Sequence, residues 1–264
     1  MAAASGPIVP LACPTAAACR DAADVAYACA TSQIRTGVSS GLARHCRPTR
    51  CAVGPCAEVA VLSGEVVDSD TEVSHRVPGR TVRVRRDNGR EEGATTADAD
   101  GRYYFAVPLG WTVLVHAEQP GFLNEVHAVT VPATGWDVPL DLRHPATLGH
   151  LLGDPAGVNP AGGLMVIEFV GAGSLAGAGA RTEPAASMSF VFDGAGRPVR
   201  GDRLLDHGHR LLVLGGFGGG PVRVDLRDPP GQHCAPQAAL AAWPVGPDAL
   251  IQVDAECRPA PPAP

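Results

Sequence analysis

The sequence contains no lysine, and all 21 of its basic residues are arginine. A P-loop is therefore excluded, because that loop needs a lysine to contact the nucleotide phosphates. The glycine-rich stretches GAGSLAGAGA and GGFGGG also fail to complete a G-x-G-x-x-G fingerprint, so we interpret them as loops. The abundance of Ala, Gly, Pro and Arg without Lys indicates GC-rich coding in the source genome and does not indicate an arginine-rich binding surface.

Positive charge is scarce relative to negative charge, and the formal net charge is -6 at pH 7. Nucleic acids and anionic membranes both require a dense basic face that displaces counterions. Only Arg83, Arg85 and Arg86 cluster in the sequence, and two of these three are expected on the outward face of a strand. The composition therefore argues against a nucleic-acid partner.

Long apolar runs are absent as well. No stretch approaches the ~18–20 apolar residues that cross a bilayer, so we expect no membrane span. The first residues, MAAASGPIVPLACP, lack the basic n-region of a signal peptide, and Pro10 stands where a lipoprotein signal would have leucine. Two alternatives follow: a cytosolic protein, or a secreted protein whose signal peptide has been removed.

Aromatic residues make up only 5% of the chain, which leaves little for an exposed stacking surface that binds carbohydrate. Tyr103 and Tyr104 are adjacent in a predicted strand, so one must face the core and the other the opposite face. Trp111, Trp136 and Trp243 are expected in the core or at sheet edges. One outward Tyr or Trp would still suffice for a weak carbohydrate site.

Catalytic signatures are missing too: no G-x-S-x-G, H-E-x-x-H or kinase motif occurs. The segment 96–101 resembles the first half of an EF-hand loop, but Val107 stands where the bidentate glutamate belongs, so a plain hairpin turn is favoured. The tripeptide Arg200-Gly201-Asp202 matches an integrin-type motif, for which chance is the expected source.

The densest group of metal-coordinating residues is Asp206, His207 and His209, which could hold zinc or copper together with His233. A solvated turn between strands is the simpler interpretation, since H-x-H alone is common. We therefore expect no catalytic residue, no metal and no cofactor, and keep these four residues as the alternative.

The eight cysteines fall into two even groups, six in the first 56 residues and two near the end. Even, separate groups favour local disulfides and hence an oxidising compartment, which argues for the secreted alternative. The C-x4-C-x4-C spacing in the first group matches neither the usual zinc pattern nor a ferredoxin. We predict that all eight pair and that Cys234 bonds to Cys257, since both lie in the final third. The pairing of the first six stays open: Cys13, Cys19, Cys29, Cys46, Cys51 and Cys56.

The chain is rich in turn formers, with 32 Gly and 25 Pro, which favours many short strands over long helices. The clearest pattern lies between Thr95 and Val131, where alternating strands are separated by turns. The turns are predicted at 98–101, 108–110 and 119–121, because Asp, Pro and Gly adopt the backbone angles that turns require. This stretch predicts a β-meander.

A family resemblance is carried by Gly64-Glu-Val66-Val-Asp68, by Val77-Pro-Gly79-Arg-Thr81-Val82, and by the segment from Thr96 to Gly110. With Pro120-Gly121-Phe122, these motifs resemble the carboxypeptidase regulatory-like, or transthyretin-like, domain family. The resemblance implies a Greek-key β-sandwich of prealbumin type, an accessory module common in secreted bacterial proteins. It implies no activity, since function belongs to sites and not to folds.

We therefore predict an all-β protein in which two such sandwiches follow a small N-terminal cap. The cap covers residues 1–56, contains a helix over 14–36 and is stapled by disulfides. The first sandwich covers 57–143, a weaker second copy covers 146–257, and a proline-rich tail covers 258–264. An internal duplication is our interpretation of the second copy.

Three functional hypotheses remain. The first is a non-enzymatic, secreted structural or interaction module, a subunit or accessory domain of an extracellular or cell-surface assembly that joins through open sheet edges. The second is a carbohydrate- or surface-binding module. The third is a metal-dependent enzyme that uses Asp206, His207 and His209. We expect protein partners or self-assembly, with a glycan as an alternative.

Overall fold

The structure is a computed structural model that describes residues 9–10, 27–35, 40–48, 59–68, 75–132, 136–152, 163–238 and 240–260. For 9–10, 27–35 and 40–48, it describes the backbone alone. The chain divides into two compact units. Unit 1 comprises 1–118 and 129–142, and unit 2 comprises 119–128 and 143–264.

The described part of the chain is nearly all β, as the sequence predicts. Up to Glu118 the strands are β1 (Val9–Pro10), β2 (Tyr27–Arg35), β3 (Ser40–Pro48), β4 (Val59–Asp68), β5 (His75–Arg76), β6 (Thr81–Arg86), β7 (Glu91–Thr96), β8 (Arg102–Pro108) and β9 (Thr112–Glu118). Then come β10 (Asn124–Thr130), β11 (Trp136–Asp137), β12 (Leu140–Leu142), the helix α1 (Pro145–Leu151), β13 (Leu164–Gly171), β14 (Gly179–Glu183), β15 (Met188–Phe192) and β16 (Pro198–Arg200). The last are β17 (Leu211–Gly215), β18 (Gly220–Arg227), β19 (Gln232–Pro236), β20 (Trp243–Val245) and β21 (Ala249–Pro259).

The helix predicted over 14–36 is wrong for its second half, because Tyr27–Arg35 forms β2. This strand pairs antiparallel with β3 along its whole length. Tyr27, Thr31 and Ile34 are aromatic or β-branched residues that favour strands, and pairing with a neighbour overrides the weak helix preference of the alanines. Residues 11–26 lie outside the described part of the chain, as do Cys13, Cys19, Cys51 and Cys56.

Unit 1 contains two β-layers. In one, the strand order is β1-β8-β4-β3-β2, with β5, β11 and β12 also paired to β4. In the other, β6 pairs antiparallel with both β7 and β9. Alternating residues of both layers are buried, as expected when sheets pack face to face. The buried residues include Leu62, Val82, Val84, Tyr103, Phe105, Val113, Val115 and Leu140.

The predicted turns of unit 1 are confirmed. The amide of Gly101 donates to the carbonyl of Asp98 at 3.0 Å, and Gly101 has a φ of 72° that suits glycine. The Asp98 carboxylate accepts from the amides of Asp100 and Arg102, at 2.9 and 2.8 Å, which fixes the same turn. Trp111 donates to the carbonyl of Pro108, which closes the next turn.

Unit 2 is built around β21, the longest strand. It pairs parallel with β13 from Leu250 to Cys257 and antiparallel with β19. Beyond β13 the order is β17, β15 and β16, and a separate three-stranded sheet has the order β14-β18-β20. The buried cluster between these sheets contains Met165, Ile167, Phe169, Val222, Trp243, Ile251 and Val253. A second cluster covers the other face of the β21 sheet, with Leu123, Leu148, Leu152, Leu164, Phe190, Val213 and Leu250.

The predicted Cys234–Cys257 disulfide is present in unit 2. Cys234 lies on β19 and Cys257 on β21, where the two residues are register partners. Both are buried within the larger cluster of unit 2.

The structure differs from the predicted domain boundary at one segment. The sequence places the strand Asn124–Val131 in the first sandwich, whereas Gln119–Ala128 belongs to unit 2. There, Asn124 to His127 pair in parallel with Ala249 to Gln252 of β21. A parallel partner so distant in the chain leaves no local signal, which is why strand periodicity alone cannot assign it.

The helix α1 was not predicted. It begins at Pro145, a residue that suits the first helical position, and its Leu148 packs into the second cluster of unit 2. The amide of Leu148 donates to the carbonyl of His144.

Candidate functional site

The loop that carries Asp206 and His207 borders an open depression of about 380 Å3 in unit 2. The opposite wall is the glycine-rich segment 173–176. Arg210 fixes the two walls, because its guanidinium donates to the carbonyl of Gly171 at 2.7 Å and to that of Gly173 at 3.3 Å. His207 has a φ of 59°, and the amide of Gly208 donates to the carbonyl of Leu205. The loop is thus an ordered turn with the two predicted side chains at its tip.

These side chains face solvent. The His207 side chain is 93% exposed, and its Nε2 lies 3.6 Å from the Asp206 carboxylate. A contact of this kind in water contributes little, on the order of 0–1 kcal/mol. The position agrees with the interpretation of a solvated turn.

The other two predicted metal ligands, His209 and His233, contact different partners. The His209 ring packs edge-on against Phe192, with centroids 6.5 Å apart. Nδ1 of His233 lies 3.0 Å from the Asp228 carboxylate, whose other oxygen accepts from the amide of Cys234 at 2.8 Å. These two hydrogen bonds, the backbone one first, lower the pKa of Asp228. Asp228 therefore organises the turn that leads into the disulfide.

Within the described ranges, no three His, Cys, Asp or Glu side chains come close enough to hold a metal ion. Asp206 and His207 are brought together, while His209 and His233 have other partners. The hypothesis of a metal-dependent enzyme gains no support from this geometry.

The Arg200-Gly201-Asp202 tripeptide is held by contacts inside unit 2. The Asp202 carboxylate accepts from the Arg227 guanidinium at 2.6 Å, and Arg200 lies over the Phe190 ring at 5.5 Å from its centroid. A receptor that bound this motif would first have to break the contact with Arg227.

A charged cluster in unit 1 has no counterpart in the sequence predictions. His116 is only 5% exposed, and its Nε2 lies 3.2 Å from the Glu118 carboxylate. Arg83, the register partner of His116, donates to Glu118 at 3.0 Å and to Glu91 at 2.7 Å. Burial, and then the charge of Arg85, lower the pKa of His116, while Glu118 opposes them. The alternation of β9 places His116 on the face of Arg83, but its burial depends on long-range packing.

The outer face of β4 and its neighbours carries a row of polar side chains. Ser63 is the register partner of both Tyr104 and Asp137, and its hydroxyl donates to Asp137 at 3.0 Å. Burial raises the pKa of Asp137, and the hydrogen bond from Ser63 partly opposes that shift. In the next row, Glu65 pairs with Arg76 at 2.8 Å. Tyr103 is buried and Tyr104 half-buried on the opposite face, as the alternation predicts.

The strand β7 forms one edge of its sheet in unit 1. Among the described residues, no strand pairs with its outer side. The amide of Ala97 donates to the carbonyl of Arg80, and the register continues from Thr96 opposite Thr81. Because N–H groups alternate along an antiparallel pair, those of Ala94 and Thr96 point away from β6. Within the described ranges no strand pairs with these N–H groups, although β1 passes close to β7.

Other edge strands carry features that hinder pairing with a partner strand. The strand β16 begins with Pro198, and β20 contains Pro244, which has no N–H to offer. The strand β14 is bridged at Gly179 by Arg203. The six residues of β7 include no proline, and its two glutamates and a register shift are confined to the first half. The half from Gly93 to Thr96 therefore lacks the features that usually protect an edge.

No helix in the described ranges is long and apolar enough to cross a membrane.

Comparisons with known proteins give distant similarities only. No family model matches the chain, and no curated protein matches it. Among solved structures, the shaft pilin SpaA from Lactobacillus rhamnosus GG shares 11% identity with a TM-score of 0.27, over 78% of this chain and 100% of the pilin. The Bacillus anthracis TIE protein shares 12% identity with a TM-score of 0.26, over 88% of this chain and 48% of the other. The minor pilin GBS52 of Streptococcus agalactiae shares 11% identity with a TM-score of 0.24, over 77% of this chain and 98% of the pilin. Scores this low decide nothing about function, and the all-β class follows from the strands themselves.

Proposed function

We propose that this chain is a non-enzymatic structural module, a subunit or accessory domain of an extracellular or cell-surface assembly. The open half of β7, from Gly93 to Thr96, is the observation that carries the proposal. An unpaired strand edge offers a row of N–H and C=O groups to an extended segment of a partner. The side chains here are small, so a partner strand can approach closely.

The disulfide between Cys234 and Cys257 supports the extracellular location, because such bonds persist in oxidising compartments. Since the chain has no lysine, its own side chains offer no amine for a covalent amide cross-link. The association that we propose uses backbone hydrogen bonds along β7.

A proline on the outer side of β7 tests the proposal. Ala94→Pro removes an outward N–H and leaves the hydrogen bonds to β6 in place, since Ala94 points its N–H away from β6. We expect the mass of assemblies, measured by light scattering, to fall toward that of the monomer.

The matched control is Ala99→Pro, at an exposed turn position five residues away. The turn from Asp98 to Gly101 places Ala99 where proline is favoured, and the residue lies off the edge. Ala99→Pro should associate like the parent chain. Equal association of all three proteins, with circular dichroism showing them folded, would reject the β7 edge as the joining surface.

The polar row of unit 1 favours a second candidate, carbohydrate or surface binding. Tyr104 offers one outward aromatic ring, with Ser63 and Asp137 beside it for hydrogen bonds to hydroxyl groups. Screening the full chain against a glycan array tests this candidate. Binding that is lost in Tyr104→Ala and kept in Trp243→Phe, a change in the core of unit 2, would support it.

We also propose that unit 1 is a transthyretin-like domain. The turns at Asp98–Gly101 and Pro108–Trp111 and the close packing at Gly64 support this family, because they fall where its motifs lie.

A further inference from the structure

We propose that the segment Gln119–Ala128, called the docking segment below, can leave its place beside β21 and fill the same place in a second copy of this chain. The exchange would join copies head to tail. This inference rests on the proposed function as an assembly subunit, and it names the means by which copies join.

The docking segment contributes to unit 2 on several sides. Its residues Asn124 to His127 pair with β21, and the amides of Leu123 and Asn124 donate to the carbonyls of Arg143 and Asp248, at 2.8 and 2.6 Å. Leu123 is fully buried in the cluster that includes Leu148 and Leu250. Unit 2 is therefore incomplete without this strand.

The segment belongs to unit 2, but the chain on both sides of it belongs to unit 1. Its two ends continue into 1–118 and 129–142, both of which belong to unit 1. The chain enters unit 2 for the last time between Leu142 and Arg143. Exchange therefore requires the docking segment to leave its own β21 while both of its ends stay joined to unit 1.

The connection is short. Only Arg143 and His144 separate the end of β12 from the start of α1 at Pro145. Short connections of this kind are a common place for exchange between copies. The hydrogen bonds and the burial of Leu123 are the same whether the segment comes from the same copy or from another.

The docking segment and its acceptor on β21 are different surfaces. Pairing between them is therefore heterologous, and a contact of this type produces open chains unless the rotation happens to close a ring. The expected products are a closed dimer, where two copies exchange the segment reciprocally, and longer oligomers whose share rises with concentration.

Cysteines at register partners test the exchange in the full-length chain. His127 and Gln252 are such partners, and both side chains are half-buried. His127→Cys and Gln252→Cys are purified separately, mixed at rising concentration and treated with oxidised glutathione, which accepts the two electrons and is reduced to two thiols. Exchange should produce covalent dimers in which peptides containing positions 127 and 252 are joined.

Two controls define the result. The double variant H127C/Q252C at high dilution should close within one chain, which shows that the positions can bond. Mixing His207→Cys with Gln252→Cys measures random cross-linking, because the His207 side chain is 93% exposed. We expect the yield from the His127 and Gln252 pair to exceed this background by about tenfold.

The outcomes separate the two proposals. Oligomers in light scattering without 127–252 bonds between copies would overturn the exchange and leave the β7 assembly in place. Bonds between copies that persist in an Ala94→Pro background would support the exchange and show that it does not need β7. A monomer at every concentration would overturn both.

Discussion

Cys234 and Cys257 lie directly opposite each other on the antiparallel strands β19 and β21, with their Cα atoms 4.0 Å apart. The disulfide therefore clamps β19 to the strand that also pairs with β13. The neighbour of β21 at this point is β19, the short strand that follows the turn after Asp228. The bond closes a loop entirely inside unit 2.

Removing this bond should destabilise unit 2. A closed loop with a sequence separation of 23 stabilises by about 3 kcal/mol through the chain entropy of the unfolded state. In C234A/C257A, we expect faster amide hydrogen exchange over 163–260 and a lower melting temperature. Amide hydrogen exchange over 75–118 in unit 1 serves as the internal control. An equal loss of protection in both units would contradict a clamp confined to unit 2.

A second bond is expected between Cys29 and Cys46. The register of β2 and β3 makes these residues opposite partners, as it does for Cys234 and Cys257. Directly opposite positions in an antiparallel pair bring Cβ atoms to about 4.5–5.5 Å, close to the separation that a disulfide spans. Digestion without reduction should release peptides joined through positions 29 and 46. A bond from either cysteine to Cys13, Cys19, Cys51 or Cys56 would reject this pairing.

The features that the sequence predicts correctly are local ones. The turn at 98–101 follows from Asp98 and Gly101, whose side chains and backbone preferences act within four residues. The opposite directions of Tyr103 and Tyr104 follow from the period of a strand. The Cys234–Cys257 bond followed from the separation of the two cysteine groups along the chain.

The features that escape prediction depend on partners far away in the chain. The docking segment has an ordinary strand pattern, and only its pairing with Ala249–Gln252 places it in unit 2. The alanines before Tyr27 predict a helix, while pairing with β3 makes 27–35 a strand. His207 and His209 are two residues apart, yet an ordered turn sends one to solvent and the other against Phe192. The spacing of the two histidines in the sequence therefore could not show whether their side chains meet at one metal site.

Acidification should destabilise unit 1 through His116. Burial lowers its folded pKa below the value of about 6.5 that applies to the unfolded chain. Between those two pKa values the unfolded state binds more protons than the folded state. The stability that depends on neutral His116 is therefore fully present above pH ~6.5 and is lost as the pH falls toward the folded pKa. Protonation would add a positive charge beside Arg83 and Arg85, and Glu118, the carboxylate in contact with His116, already pairs with both arginines.

Urea unfolding of the full chain between pH 7.5 and pH 5 measures this dependence, followed by hydrogen exchange in unit 1. His116→Gln should flatten the slope, since glutamine keeps a polar side chain that does not titrate. His207→Gln is the matched control because its ring is exposed, and it should leave the slope unchanged. An unaltered slope in His116→Gln would show that another group causes the acid sensitivity.

Because Gly64 packs against Tyr103, substitutions of the adjacent residues Tyr103 and Tyr104 should change the free energy of unfolding by different amounts. A Cβ on Gly64 would collide with the carbonyl oxygen of Val138, and it would come within 2.6 Å of the Tyr103 hydroxyl. That hydroxyl donates a hydrogen bond to the same carbonyl. Gly64→Ala therefore should cost about 3 kcal/mol of unfolding free energy, because strands β4 and β8 must shift.

Tyr103→Phe removes the hydrogen bond but keeps the packed ring, so the expected loss is about 1–2 kcal/mol. Tyr104→Phe, one residue later on the outer face, should change stability by less than ~0.5 kcal/mol. Urea unfolding of the three variants against the parent chain gives these values. If Tyr103→Phe and Tyr104→Phe lose the same amount, the buried hydroxyl does not hold β8 to the Val138 segment, and Gly64 is required only for the space beside that carbonyl.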